Sequence, residues 1–417
     1  MRRTRALALA MAGLLGLAAC GSSGGSDSSG DAKTLEIWDM QQSSKDIGAA
    51  YKPLVDKFEQ EHPGVKVKVT AFPYAQYRDK VLVAMKGGTG PDVLALDQIW
   101  MAEFAAAGLI SPLDDQIAKA KNVKQDAFFK GAWDSNVYQG KTWGVPLNFD
   151  VWEQLYYNND LFKKAGITKP PTTWEEWNAD LAKLHKPPNQ FGIALIGCKD
   201  EGSVVVSDSL SFSNGGTIMD GDKVTFDSPE NVAALTQYQA LSKFAPSGTA
   251  GVCEQDAVGQ FTAGKAAMLL DGSWQQDTMK DAAKFDWKIA PPPAPSGKSF
   301  VGTLGGFNMA VSKKAGNQDL AFQFVDALST PDNQKAVNSL VPALKTAGEQ
   351  FVKDNRKQPE VVLDTLNNGR PRPLTPVYPK ISLANQDAVQ AVLGGTDPAQ
   401  AVKDAAAKMT SAVQQGG

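Results

Sequence analysis

The stretch that most constrains the fold of this chain is a short apolar run that follows a glycine-rich segment and ends in polar residues. Residues 93–96, Val-Leu-Ala-Leu, come after a segment at 87–91 that ends in proline, and they run into Asp97, Gln98 and Trp100. A short apolar run bounded in this way is typical of a strand buried in a parallel sheet. Ligands of open α/β sheets bind just beyond the carboxyl ends of such strands. The stretch therefore predicts one wall of a binding cleft.

Strand and helix patterns alternate along most of the chain, which predicts βαβ units and a parallel sheet. A glycine-rich strand is predicted over 302–312, and the chain beyond residue 331 is mostly helical, with a break at 370–373. We therefore expect an α/β fold. The other predicted strands span residues 34–39, 65–69, 93–96, 154–158, 191–196 and 266–270.

The amino terminus predicts export and lipid attachment. A basic start precedes an apolar run over 6–19 that is too short to span a bilayer, and the run ends in Leu-Ala-Ala-Cys20, which resembles a bacterial lipobox. We expect residues 1–19 to be a signal peptide, Cys20 to carry the lipid, and the glycine- and serine-rich residues 20–32 to be a flexible linker. An ordinary secretory signal with a chance cysteine is the alternative.

Composition excludes several functional classes. The formal net charge is −3, and it becomes more negative once the arginines of the leader are removed, which argues against a nucleic-acid partner. His62 and His185 are the two histidines, and no zinc-binding spacing can be built from them. We expect no metal and no cofactor. Cys198 and Cys253 are the two cysteines that are left once Cys20 is assigned to the lipid anchor. An even number of cysteines in an exported protein favours a disulfide over two separate buried thiols.

Tryptophans and acids recur at or just past predicted strand ends. An indole can pack against the apolar face of a sugar, and a carboxylate accepts hydrogen bonds from neighbouring hydroxyls. Each tryptophan alone is more often a core residue, but the repeated pairing favours a carbohydrate ligand. Of the acids, Asp271 is the weakest candidate, because it can simply cap the turn at Gly272. The pairs are Trp38 with Asp39, Trp100 with Asp97, Trp152 with Asp150, and Trp274 with Asp271.

Five short motifs in a characteristic order resemble a known family, the extracytoplasmic solute-binding proteins of ABC transporters typified by the maltose-binding protein. The resemblance covers nearly the whole mature chain. Each motif is weak alone, and their order behind a lipobox makes the set specific. The motifs are the start at 35–39, Gly-Pro-Asp-Val at 90–93, Gly-Lys-Thr-Trp-Gly-Val-Pro at 140–146 followed by Tyr-Tyr-Asn at 156–158, Gly-Lys-Ala-Ala-Met at 264–268 with Gly-Ser-Trp at 272–274, and Gly-Gly-Phe-Asn at 305–308.

This resemblance implies a two-lobed periplasmic-binding-protein-like fold of type II, with a ligand cleft between the lobes. Lobe 1 would comprise residues 33–145 plus 303–345, and lobe 2 residues 146–302 plus 346–417. The chain would cross between the lobes near residues 146, 302 and 345. Closure of the lobes around a ligand would be a hinge motion.

The resemblance also implies the site residues. By position, Asp150 matches a sugar-binding carboxylate of the family, and Trp274 matches a stacking aromatic residue. Asp97 and Gln98 would form a polar cleft edge. The full expected set for ligand binding is Asp39, Gln41, Tyr74, Asp97, Gln98, Trp100, Asn148, Asp150, Glu201, Trp274, Gly305, Gly306 and Arg372.

The expected function is the carbohydrate-binding component of an ABC sugar importer. It would be a monomer anchored by lipid at the extracytoplasmic face of the cell membrane, and it would deliver a mono- or oligosaccharide to permease subunits served by a cytoplasmic ATPase, without doing chemistry. Two alternatives stay open. One is a non-sugar ligand such as a phosphorylated polyol or a polyamine, and the other is a secreted glycosidase, which only the acids near aromatic residues support.

Overall fold

A computed structural model of the chain describes residues 33–40 and 46–416. The predicted signal peptide (1–19), linker (20–32), lipidated Cys20 and ligand-binding Gln41 lie outside the described residues. No helix in the described part of the chain has the length and apolar character needed to cross a membrane.

Strands and helices alternate through the first part of the chain, as their patterns predict. The strands are β1 (Lys33–Met40), β2 (Val65–Phe72), β3 (Val93–Asp97), β4 (Val137–Tyr138), β5 (Lys141–Thr142), β6 (Val145–Pro146), β7 (Asp150–Val151) and β8 (Gln154–Asn158). The helices are α1 (Ile47–Glu61), α2 (Tyr74–Gly87), α3 (Met101–Ala106), α4 (Asp114–Lys119) and α5 (Lys130–Asp134).

The middle of the chain continues this alternation, and its helices begin at residues suited to capping. For example, the Thr173 hydroxyl accepts from the backbone N–H of Glu176 at 3.2 Å. The elements are α6 (Asn159–Lys164), α7 (Trp174–Leu184), β9 (Phe191–Ala194), α8 (Glu201–Ser213), β10 (Met219–Asp220), β11 (Lys223–Val224), α9 (Pro229–Ser242), α10 (Glu254–Thr262), β12 (Ala266–Asp271), α11 (Gln275–Ala282) and β13 (Trp287–Ala290).

The last part of the chain is mainly helical. Its elements are β14 (Thr303–Gly305), β15 (Phe307–Val311), α12 (Gln318–Leu328), α13 (Pro331–Val337), α14 (Lys345–Asn355), α15 (Pro359–Asn368), β16 (Arg370–Pro371), α16 (Tyr378–Leu393) and α17 (Pro398–Gly416).

Two larger sheets form the cores of the two halves of the molecule. The first has the order β2-β1-β3-β15-β6, and the second has the order β13-β8-β12-β9. The predicted parallel pairing is present in both sheets, between β1 and its neighbours β2 and β3 and between β12 and β9, but each sheet also contains antiparallel pairs. Strand β15 runs antiparallel to β3, and β8 runs antiparallel to β12 and β13. In the first sheet the reason is topological, since β15 returns from the other half and enters the sheet from its opposite end.

A small third sheet lies where the chain passes between the halves. Its order is β16-β14-β7, and it pairs Gly305 with Asp150. The single strand predicted over 302–312 is in fact two strands, which belong to different sheets and part at Gly306. A Cβ atom at Gly306 would lie 2.3 Å from the carbonyl oxygen of Asn148, so only glycine allows this close approach of two backbones.

The chain passes between the two halves of the molecule once more at helix α14. Near its start, a Cβ atom on Gly348 would lie 2.7 Å from the Phe129 ring in the first half. Just beyond its end, Lys357 donates from its backbone N–H to the Gln276 side chain in the second half, at 2.6 Å. The carboxyl ends of β3 and β12 and the third sheet therefore face one another around a common cleft.

Candidate functional site

One part of the site is a set of charges at the carboxyl end of β3. The Tyr74 hydroxyl donates to Oδ2 of Asp97 at 2.8 Å. Oδ1 of Asp97 lies 3.6 Å from Nη2 of Arg372, which follows β16 in the other half of the molecule. Burial raises the pKa of the Asp97 carboxyl, and the neighbouring Arg372 opposes that rise. The pair thus joins the two halves across the cleft.

Arg372 is held from its other side by the first residue of α8. Its Nη1 donates to Oε1 of Glu201 at 2.8 Å, and its side chain is only 1% exposed. Glu201 also accepts from the hydroxyls of Tyr378 and Ser382. Nε of Arg372 is buried and has no hydrogen-bond partner among the described residues. The arginine therefore sits between two carboxylates with one donor unused.

A second carboxylate, Asp150 of β7, lies at the passage between the halves. Its Oδ2 accepts from the Ser273 hydroxyl at 2.8 Å, and its Oδ1 accepts from the backbone N–H of Val151 at 2.8 Å. Burial raises the pKa of Asp150 to about 6, against the opposing influence of Arg356. Nε of Arg356 lies 3.4 Å from the same Ser273 hydroxyl. Asp150 is therefore an oriented acceptor that changes charge near neutral pH.

Two indoles flank this acceptor. Trp152 and Trp274 meet edge to face, with ring centroids 4.9 Å apart and planes at 84°. Both are partly exposed, unlike the tryptophans of the core. A Cβ atom on Gly272 would lie 2.1 Å from the Trp274 ring, so the indole lies directly over that glycine. Nε1 of Trp274 donates to Oε1 of Glu254 at 3.2 Å.

Gly305 connects the indoles to the charges. A Cβ atom there would lie 2.8 Å from Nε1 of Trp152 and 3.1 Å from Nη2 of Arg372. The two parts of the site are therefore neighbours, and together they offer flat apolar faces beside carboxylate acceptors and guanidinium donors. This combination suits a ligand that has an apolar face and a rim of hydroxyl groups.

The structure brings most of the sequence-predicted residues to this place. Gln98 lies beside Asp97, and its Nε2 donates to the carbonyl of Leu304 at 2.5 Å. Its Oε1 is buried and has no partner among the described residues. The predicted residues that gather around the cleft are Tyr74, Asp97, Gln98, Asp150, Glu201, Trp274, Gly305, Gly306 and Arg372.

Three predicted residues have partners inside the protein instead. Asp39 is fully buried and accepts from the Tyr51 hydroxyl at 2.7 Å. Trp100 is buried and stacks on Tyr74, with centroids 5.3 Å apart. Asn148 accepts from the backbone N–H of Phe307 at 2.9 Å and stabilises the passage between the halves. Their roles in ligand binding stay predictions.

The sequence also predicted a turn cap at Asp271 and a disulfide between Cys198 and Cys253. Asp271 accepts from the backbone N–H of Gly272 at 2.7 Å, which is the capping arrangement. Cys198 and Cys253 form a disulfide with Cα atoms 5.0 Å apart.

Four contributors were absent from the sequence-predicted set: Trp152, Glu254, Ser273 and Arg356. Trp152 had been paired with Asp150 as an indole beside an acid at a strand end, and Ser273 stands within the Gly-Ser-Trp motif at 272–274, so the sequence carried a signal for both. Glu254 and Arg356 reach the site from regions without any motif, and only the folded structure brings them there.

Comparisons with known proteins identify the family. A profile of the family described as bacterial extracellular solute-binding protein matches residues 41–335. A galactooligosaccharide-binding protein of Bacillus subtilis is 28% identical over 94% of this chain and 93% of its own length. The diacetylchitobiose binding protein DasA of Streptomyces coelicolor is 27% identical over 97% of each chain.

Solved structures agree with these relatives. A solute-binding protein of an ABC transporter from Thermotoga lettingae, bound with α-D-tagatose, matches with a TM-score of 0.79 and 26% identity over 91% of this chain and 100% of its own. Maltose-bound MalE3 of T. maritima matches with a TM-score of 0.76 and 26% identity over 91% and 99%. The architecture is thus the two-lobed periplasmic-binding-protein fold, and the chain belongs to the family of bacterial extracellular solute-binding proteins.

Proposed function

We propose that this protein captures a sugar in the cleft between its lobes and delivers it to the permease of an ABC importer, which a cytoplasmic ATPase drives. The observation that carries the proposal is the pair of partly exposed indoles, Trp152 and Trp274, beside the oriented carboxylate of Asp150. The names of several relatives support it, since they are binding proteins for galactooligosaccharide, diacetylchitobiose and maltose.

The proposed contacts divide by chemistry. The indoles would pack on a sugar face, while Asp150 and Asp97 would accept from hydroxyls. The unused Nε of Arg372 would donate to a ring or hydroxyl oxygen. The proposed ligand-binding set is Tyr74, Asp97, Gln98, Asp150, Trp152, Glu201, Trp274, Gly305, Gly306 and Arg372.

We further propose lobes of residues 33–145 plus 303–345 and 146–302 plus 346–416, hinged at β7, β14 and α14. Opening would separate Asp97 from Arg372, which belong to different lobes. A ligand shifts such an equilibrium only by its higher affinity for the closed form. Sugar contacts from both lobes would supply that difference.

The alternatives differ in what they require. A phosphate ester prefers an arginine that is free to pair, but Arg372 and Arg356 each already face a carboxylate, Glu201 and Asp277 respectively. A polyamine would need several free carboxylates at the cleft.

A glycosidase would hydrolyse a chromogenic glycoside and lose that activity on substitution of Asp97 or Asp150, whereas the proposed function predicts no turnover.

A thermal-shift screen tests the proposed ligand class. The panel is maltose, D-tagatose, diacetylchitobiose and galactooligosaccharides, with spermidine and glycerol 3-phosphate as the rival classes. A ligand at a hundredfold excess over its dissociation constant stabilises the folded state by about 2.7 kcal/mol. We expect at least one sugar to raise the melting temperature. A shift with spermidine or the phosphate ester alone would contradict the sugar assignment.

We also propose that the monomeric protein is held at the outer face of the cell membrane by acyl chains on Cys20, on the strength of its lipobox. Two acyl chains suffice for stable anchoring. Fractionation of cells that express the Cys20→Ser variant tests this, because the variant should leave the membrane fraction. A variant that stays with the membrane would refute the anchor.

A further inference from the structure

The Cys198–Cys253 disulfide lies beside the starts of two helices that both face the proposed site. Cys253 is the residue before α10, whose first residue is Glu254. Cys198 is three residues before Glu201, the first residue of α8. The backbone N–H of Cys198 also donates to the carbonyl of Val252 at 3.0 Å. The cross-link therefore holds the two glutamates in a fixed relation.

Each of these glutamates engages a different part of the site. Glu201 accepts from Arg372 at 2.8 Å and so belongs to the cluster of charges. Glu254 accepts from Nε1 of Trp274 at 3.2 Å and from Nε2 of Gln275 at 2.9 Å. The polar edge of Trp274 is thus held by the first residue of α10.

The indole needs such a partner. A tryptophan N–H that is partly buried usually finds an acceptor. Gly272 lies beneath the Trp274 ring, and it has no side chain that could fix the orientation of the ring. Within the described residues, the Glu254 carboxylate is the one acceptor that the indole N–H has.

We propose that Glu254 is a positioning residue for Trp274 and that the Cys198–Cys253 disulfide fixes the helix start that carries Glu254. This inference rests on the proposed function only for the consequence that a misplaced indole weakens sugar binding. The placement of the indole itself can be measured without any ligand.

The ligand-free test is acrylamide quenching of tryptophan fluorescence. We expect Glu254→Ala to increase quenching, and we expect no increase when the same change is made in a Trp274→Phe background. Glu254→Gln keeps the acceptor oxygen and should behave like the wild type. Gln255→Ala is the matched control, since it truncates an exposed side chain of the same first turn that takes no part in capping the helix. Asp256 is unsuitable for this purpose, because its side chain accepts from the backbone N–H of Cys253 at 3.4 Å. Equal quenching in the wild type and in Glu254→Ala would overturn the proposal.

The disulfide is tested by replacing both cysteines with serine, at a temperature where circular dichroism shows the variant folded. Quenching should rise in the otherwise wild-type protein and rise much less when Glu254 is already alanine. Equal increases in both backgrounds would show that the disulfide does not act through Glu254. If the serine pair does not fold, the Glu254 variants still decide the first half of the proposal.

Calorimetry with the tightest sugar of the thermal-shift panel gives the functional consequence. Glu254→Ala should weaken binding about tenfold, the size expected for losing one hydrogen bond, and Glu254→Gln, which keeps an acceptor oxygen, should stay within about twofold. A wild-type protein that binds no sugar refutes the proposed function and leaves the quenching result standing. A wild-type protein that binds sugar with Glu254→Ala equally tight refutes this inference alone.

Discussion

At the scale of single residues, Asp150 is the group whose charge matters most near neutral pH. Burial raises its pKa to about 6, while Ser273 and the Val151 amide orient its oxygens. The ionised form accepts two hydroxyls more strongly than the protonated form does. The proposed acceptor is therefore effective above pH 6 and weakened below it.

Sugar affinity should consequently fall by about tenfold between pH 7.5 and pH 5, because at one pH unit below a pKa of about 6 only about one tenth of Asp150 is ionised. Calorimetry at the two pH values measures this. In Asp150→Asn the affinity should be lower at pH 7.5 and nearly constant with pH. The same pH slope in Asp150→Asn as in the wild type would assign the titration to another group.

Glu153, three residues further along, affects stability instead. It is fully buried, and burial raises its pKa to about 8 from 4.5. The folded protein thus keeps a proton that the unfolded chain releases above pH 4.5, so this residue's contribution to stability falls as pH rises from 4.5 through 8.

Glu153→Gln should remove that penalty. We expect the variant to match the wild type near pH 5 and to be at least about 1 kcal/mol more stable at pH 8.5, by urea unfolding. The exposed Glu349→Gln serves as the control and should leave the pH profile unchanged. If the unfolding free energy of Glu153→Gln depended on pH as that of the wild type does, Glu153 would be ionised in the folded protein at neutral pH.

At the scale of elements, the third sheet connects the proposed hinge to the proposed site through two adjacent glycines with different surroundings. A Cβ atom on Gly305 would lie 2.8 Å from Nε1 of Trp152, a partly exposed side chain that can shift, and 3.1 Å from Nη2 of Arg372, a distance that requires little movement. A Cβ atom on Gly306 meets the backbone carbonyl of Asn148 at 2.3 Å, which cannot move aside.

Gly305→Ala should therefore weaken sugar binding by about 1–3 kcal/mol with little loss of stability, whereas Gly306→Ala should lower the unfolding free energy by about 1–3 kcal/mol, the usual range for overpacking. Calorimetry and urea unfolding on both variants distinguish the two roles. Equal stability losses would show that the two glycines meet equally rigid neighbours.

The elements also show how far sequence reasoning reaches. The strand before Asp97 could be predicted, because an apolar run between glycines and polar residues is a local pattern. The antiparallel entry of β15 could not, since strand direction depends on which lobe the chain returns from. Trp100 carried the same local pattern as Trp152 and Trp274, and only packing separates this buried indole from the partly exposed ones.

At the scale of the whole molecule, the contact between Asp97 and Arg372, which belong to different proposed lobes, is the feature most directly linked to the proposed closure. Both side chains are at most 5% exposed, and their charged atoms lie 3.6 Å apart. Removing one partner of a buried pair leaves an uncompensated charge. Here Asp97 and Glu201 would both lose their shared cation.

Arg372→Gln should therefore favour the open form. We expect sugar binding weaker by about 2–4 kcal/mol and a larger radius of gyration in X-ray scattering without ligand. Arg78→Gln is the matched control, because its ion pair with Glu103 lies within one lobe. Unchanged scattering and affinity in Arg372→Gln would mean that the pair does not hold the lobes together.

The central claim is that a sugar binds in the cleft against the two indoles. Titration calorimetry of the sugar panel on the wild type, Trp274→Ala and Trp152→Ala tests it most directly. We predict that one sugar binds the wild type and that each variant binds it about 1–4 kcal/mol more weakly, the range for losing a major anchor. Sugar binding of equal strength in all three proteins, or none to the wild type, would contradict the account.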